Sequence, residues 1–98
     1  MTINKTIDGD KMTIGVEGRL DTVSAPELEK EIKENATGIK ELVVDFSGLE
    51  YISSAGLRVL LGAHKLMLTQ GNMVVENVSD EVGEVFEITG FSDILNIK

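Results

Sequence analysis

Two short unbroken apolar runs, Leu42-Val43-Val44 and Met73-Val74-Val75, each follow a stretch whose apolar residues return every three or four positions. Strands that read as continuous apolar runs belong to the interior of parallel sheets, and parallel neighbours must be joined by a crossover, normally a helix. That switching between strand and helix periods predicts α/β architecture with right-handed crossover units and leaves few other folds open. The first crossover helix is expected from Ser24-Ala25-Pro26-Glu27, with Ser24 as cap and Glu27 completing a capping box. Its stripe is Ala25, Leu28, Ile32 and Ala36, and Gly38 is its natural stop. The second helix is expected from about Ser54 to Thr69, with Leu57, Leu60, Leu61, His64 and Leu68 inward and Arg58, Gly62, Lys65 and Thr69 outward. A third, from about Asp80 to Thr89, turns Val82, Val85 and Phe86 inward and ends at Gly90.

Ahead of these units, Ile3, Lys5 and Ile7 alternate with polar residues, as do Met12, Ile14 and Val16, and Asp8-Gly9-Asp10 joins the two segments as a hairpin turn. Gly15, inside the second segment, suggests a bulge or a close backbone approach. No linker or repeat interrupts the chain, so residues 1–98 read as one α/β domain. Its mixed four-stranded sheet has an N-terminal antiparallel hairpin, in the order β-β-α-β-α-β-α. The second, third and fourth strands should run parallel. Their carboxyl ends would share one edge with the segments Gly18–Thr22, Ser47–Ser54 and Asn77–Ser79, where such sheets place their sites.

Charge and residue usage narrow the function. The chain has 17 acidic and 9 basic side chains and a formal net charge of −8, which disfavours nucleic acid and anionic membrane surfaces as partners. It has no Cys and one His, His64, which removes disulfides and thiolate sites and leaves few parts for a catalytic triad. Met1–Lys11 holds no apolar stretch of signal-peptide type, and no run is long enough to span a bilayer; the expected location is the cytoplasm. His64 falls in phase with the leucines and reads as a packed side chain. Asp80, Glu81, Glu84 and Glu87 read as a solvated acidic face. Asp8-Gly9-Asp10 lacks calcium-loop spacing, and Gly48 to Gly56 lacks the ending of a phosphate-binding P-loop. Nothing in these patterns points to an enzyme.

The informative stretch runs from Asp45 to Leu57. Ser53 and Ser54 stand where a loop becomes a helix, whose free N–H groups favour an oxyanion. Small Ala55 and Gly56 leave the hydroxyls approachable. Ser54 is either a helix cap or a functional hydroxyl, and local chemistry alone leaves both open. Asp21 likewise reads as a turn or cap residue, or as part of a surface.

These residues carry a resemblance. Gly18-Arg19-Leu20-Asp21, Asp45-Phe46-Ser47-Gly48-Leu49, Ile52-Ser53-Ser54-Ala55-Gly56-Leu57-Arg58-Val59-Leu60-Leu61 and Val85-Phe86-Glu87-Ile88-Thr89-Gly90-Phe91 are similar to the anti-sigma factor antagonists, the bacterial STAS domains. The resemblance covers nearly the whole chain, in order. It implies a single STAS-like domain acting without a cofactor or metal in a partner switch. The unphosphorylated antagonist binds an anti-sigma factor that is also a serine kinase and so releases sigma factor. Phosphorylation of a serine at the start of the second helix ends the complex, and a PP2C-type phosphatase restores it. By the Gly-Leu that follows, that serine is Ser54. Many members read Asp-Ser-Ser-Gly where this chain has Ser53-Ser54-Ala55-Gly56, which makes Ser53 an alternative acceptor. The implied partner surface is Asp21, Ser53, Ser54, Ala55, Gly56, Leu57 and Arg58, on a protein monomeric when free. A regulatory STAS module of a membrane transporter and a nucleotide-binding STAS module are the alternatives.

Overall fold

The protein, described over all of residues 1–98 by a computed structural model, folds as β1 (Thr2–Asp8), β2 (Lys11–Leu20), α1 (Ala25–Asn35), β3 (Glu41–Ile52), α2 (Ser54–Leu68), β4 (Asn72–Glu76) and α3 (Asp80–Thr89). A one-turn 3-10 helix, Phe91–Asp93, follows. The sheet order is β1-β2-β3-β4; β1 is antiparallel to β2, and the β2–β3 and β3–β4 pairs are parallel. The order and directions expected from the apolar patterning are those of the structure. One strand-like contact escapes it: Ile97 bridges Val75 in parallel on the outer side of β4, through Val75 N–H to Asn96 O and Lys98 N–H to Val75 O, both 2.9 Å.

One face of the sheet carries the core. Met12, Ile14 and Val16 of β2, Leu42, Val44 and Phe46 of β3, and Met73 and Val75 of β4 join a single cluster with Leu28, Ile32, Leu57, Leu60, Met67, Val82 and Phe86 from all three helices. The alternate residues Thr6, Thr13, Val43 and Val74 stand in register across the other face. Val43 and Val74 are buried there but stay outside the core cluster. Helices therefore cover one face, although an unbroken apolar run such as Leu42–Val44 suits a strand covered on both.

Four local expectations are corrected. The Ser47–Ser54 segment is not a loop: β3 continues to Ile52, which pairs with Leu20. The register shifts between Gly15 and Glu17, and again between Gly18 and Arg19, put the extra residues in β3, so the bulges belong to the partner of the Gly15 strand. Ser24 makes no side-chain cap bond to α1. Finally, Leu68 is 68% exposed, and the inner stripe of α2 is Gly56, Leu57, Val59, Leu60, Ala63 and Met67. Leu68 lies some 100° around the helix from Met67, enough to carry it past the edge of the buried stripe. The C-terminal end of α3 follows expectation, with Gly90 at φ 82° as a left-handed cap.

Candidate functional site

The parallel pairing brings the carboxyl ends of β2 and β3 together, and α2 starts from that edge. Ser53 N–H donates to Leu20 O at 2.9 Å, tying the residue before α2 to the last residue of β2. Ser53 is extended, at φ −98° and ψ 175°, and its Oγ accepts from Gly56 N–H at 3.4 Å. Ser53 is therefore the cap, and Ser54, read from sequence as a candidate cap, is instead the first helical residue. Capping fixes the Ser53 hydroxyl in a half-buried position and leaves Ser54 exposed. One residue apart, the two serines have different tasks.

Gly56 makes this approach possible. A Cβ there would come 2.8 Å from Leu20 Cγ and 2.9 Å from Ile52 Cγ1, so only a residue without a side chain lets the first turn of α2 lie on these strand ends. Of the residues expected on a partner surface, Gly56 and Leu57 are buried and Ala55 is half-buried against the core. They hold the helix in place and do not offer contact area. Ser54 and Arg58 are exposed, and Ser53 and Asp21 are half-buried.

Asp21 follows directly on Leu20, so the same strand pairing sets it beside the start of α2. Its Oδ1 accepts from Val23 N–H and Ser24 N–H, each at 3.1 Å, closing the turn into α1. Ser24 Oγ accepts from Asp21 N–H at 2.9 Å and reaches Arg19 O at 2.7 Å. This exchange replaces the expected capping box, because a hydroxyl engaged with the preceding loop is not available to the helix. The Ser24 N–H bond, helped by the Ser24 hydroxyl, Val23 N–H and Arg19, holds the Asp21 carboxyl below its usual value of 3.8. Asp21 is thus a turn-forming residue as well as a member of this edge.

Sequence reasoning missed two features nearby. The Arg19 guanidinium lies 4.2 Å from the Tyr51 ring centroid, a contact set by the Arg19–Tyr51 register after the second bulge. Val23 is 89% exposed at the tip of the Asp21 turn. Further along the edge, Asp45 Oδ1 accepts from Asn77 Nδ2 at 3.0 Å and from Ser47 N–H at 2.9 Å. The Asn77 bond, then the Ser47 bond, lowers the Asp45 pKa from 3.8. Asn77 sits at φ 58°, the one non-glycine residue in the left-handed region, and its side-chain bond ties the segment after β4 to β3. His64 is half-buried, and its Nδ1 is enclosed without a hydrogen-bond partner.

The sequence profile of the STAS domain matches residues 2–98. The anti-sigma-B factor antagonist of Listeria monocytogenes is 38% identical over 97 residues, which span 96% of this chain and 84% of that protein. An anti-sigma factor antagonist from Mycobacterium paratuberculosis has a crystal structure that superposes with a TM-score of 0.88 at 24% identity, over 98% of this chain and 83% of that one. The Bacillus cell fate determinant SpoIIAA, solved in its phosphorylated form, superposes with a TM-score of 0.77 at 17% identity, over 99% of this chain and 91% of that one.

Proposed function

This chain belongs to the anti-sigma factor antagonist family of STAS domains, and from that premise we propose that it is a phosphorylation-controlled switch protein, a binding module rather than an enzyme. Unmodified, it binds an anti-sigma factor that is also a serine kinase and so frees a sigma factor. Phosphate on Ser54 ends that complex, and a PP2C-type phosphatase restores it. It works in the cytoplasm, as one domain, monomeric until it meets its partner; no helix is long and apolar enough to cross a membrane.

The observation that carries the reading is the division of labour between the two serines. A kinase needs a hydroxyl that it can surround, and Ser54 is exposed at the first turn of α2. Ser53, the alternative acceptor, is half-buried and engaged as the cap. Phosphate at a first helical position adds roughly −1.5 to −2 charges beside free N–H groups and the positive end of the helix dipole, so the fold should tolerate it. Further support comes from a protein of the same fold, SpoIIAA, solved in a phosphorylated form. Incubation with the serine-kinase anti-sigma factors of the same cell and ATP, followed by mass mapping, tests the reading. Phosphate should appear on Ser54 and disappear in Ser54→Ala. Labelling confined to Ser53, or none from any of these kinases, overturns it.

A further inference from the structure

The charges of this chain are unevenly distributed among its helices. α1 mixes both signs, and α3 carries Asp80, Glu81, Glu84 and Glu87 with no base. α2 carries Arg58 and Lys65 and no acid, although the chain as a whole stands at −8. Neither cation is paired: the ion pairs are Lys5–Glu31, Arg19–Asp21 and Lys33–Glu29. Both are exposed.

Their spacing matters as much as their sign. Ser54, Arg58, Leu61, Lys65 and Leu68 follow one another at intervals of four, three, four and three residues. That alternation is the heptad spacing by which one helix presents a straight seam to another. At about 1.5 Å per residue the seam runs roughly 21 Å. It holds two unpaired cations, a half-buried Leu61 and a Leu68 that is 68% exposed. An apolar side chain so exposed beside free cations is the arrangement by which a helix takes up an amphipathic partner of opposite charge.

We propose that the Arg58–Leu61–Lys65–Leu68 seam of α2 docks an acidic amphipathic helix of the protein partner, its apolar residues on Leu61 and Leu68, and that phosphate on Ser54 ends docking by cancelling the charge of the seam. The inference rests on the partner-switch reading and gives its partner a chemistry. A phosphate of roughly −1.5 to −2 at the head of the seam nearly equals the two positive charges of Arg58 and Lys65, and Arg58 stands one turn away at i+4. Only a partner element that is itself negative both gains from the unmodified seam and loses when it is neutralised.

The test is isothermal titration of the anti-sigma kinase that phosphorylates Ser54 with the unmodified full chain and with Lys65→Glu, Leu68→Ser and Glu84→Lys. Both seam positions are exposed and lie away from Ser54, so thermal melting should confirm that the variants fold. Lys65→Glu should bind roughly tenfold more weakly, and wild-type affinity should fall as sodium chloride rises from about 50 to about 300 mM. Leu68→Ser should cost about fivefold through its lost apolar contact, and Glu84→Lys, on α3, should change affinity less than about twofold. If the kinase binds wild type and both seam variants within about twofold, the seam is not the docking site, while the switch reading stands. If no kinase binds or phosphorylates the wild-type chain, the switch reading fails and the seam proposal fails with it.

Discussion

Gly56→Ala and Gly62→Ala make the same chemical change six residues apart in α2, and the structure requires opposite outcomes. Replacing a helical glycine by alanine stabilises a helix by about 0.8–1.0 kcal/mol, because glycine has more backbone freedom to lose. At Gly62 nothing lies within 4 Å of the new methyl, so that gain should appear nearly whole. At Gly56 the methyl would meet Leu20 Cγ at 2.8 Å, Ile52 Cγ1 at 2.9 Å and Leu20 Cδ2 at 3.1 Å. Leu20 is 0% and Ile52 4% exposed, so neither can swing away into solvent. Forcing a methyl into a packed core costs about 1–3 kcal/mol, so Gly56→Ala should come out between about neutral and 2 kcal/mol destabilised. With the helix gain common to both, the difference between the variants isolates the packing cost, about 2 kcal/mol, or roughly 8–16 °C in melting temperature for a domain of this size. Urea unfolding followed by circular dichroism measures it, provided the denaturant slope is unchanged. If Gly56→Ala stabilises as much as Gly62→Ala, the first turn of α2 does not rest on the ends of β2 and β3, and the geometry assigned to Ser54 falls with that contact.

Other outcomes follow from the same edge. Ser53→Ala should cost about 1 kcal/mol in urea unfolding through the lost cap, whereas Ser54→Ala should stay within about 0.5 kcal/mol; the reverse order would make Ser54 the cap. Asp21→Ala should lower the melting temperature, because the Val23 and Ser24 N–H groups lose their acceptor; an unchanged melting curve would show that the turn holds without it. The Asp21 and Asp45 carboxyls both titrate below 3.8 in the fold, so their hydrogen bonds contribute fully above about pH 5, and that stability is lost as pH falls through 3.8 towards the folded values. Asp45→Asn should lower stability at neutral pH and flatten the decline between about pH 5 and pH 3, and an acid profile identical to wild type would contradict the assigned bonds.

The architecture was legible because periods change cleanly along the chain. Three amphipathic stretches separate apolar runs, and crossover handedness then leaves one arrangement for the parallel strands. What stayed hidden depends on tertiary registration. The two bulges in β3 come from its pairing with β2, and they turn what reads as a polar loop, Ser47 to Tyr51, into strand. Ser24 looks like a cap, but its hydroxyl is drawn to Arg19 O and Asp21 N by a loop conformation that no local pattern announces. Ser53 and Ser54 are interchangeable in sequence, and only the extended backbone of Ser53, bound to Leu20, decides which becomes the cap. Asp21 reads in sequence as a turn residue or a surface residue, and the geometry gives it the turn bonds while leaving it at the same edge as Ser54. Leu68 repeats the leucine spacing and so reads as inward, but it is exposed and the core takes Met67 instead.

The central claim is that phosphate on Ser54 ends binding without undoing the fold. The direct test compares the affinity of one anti-sigma kinase, by isothermal titration, for the unmodified chain and for the same chain stoichiometrically phosphorylated on Ser54, with a melting curve of each. Binding should weaken by roughly a hundredfold or more, since a charge of about −2 is then set against the acidic partner helix proposed for the α2 seam, while the melting temperature holds or rises slightly. Equal affinity of the two forms, or a phosphorylated chain that has lost its cooperative melting transition, would contradict the account.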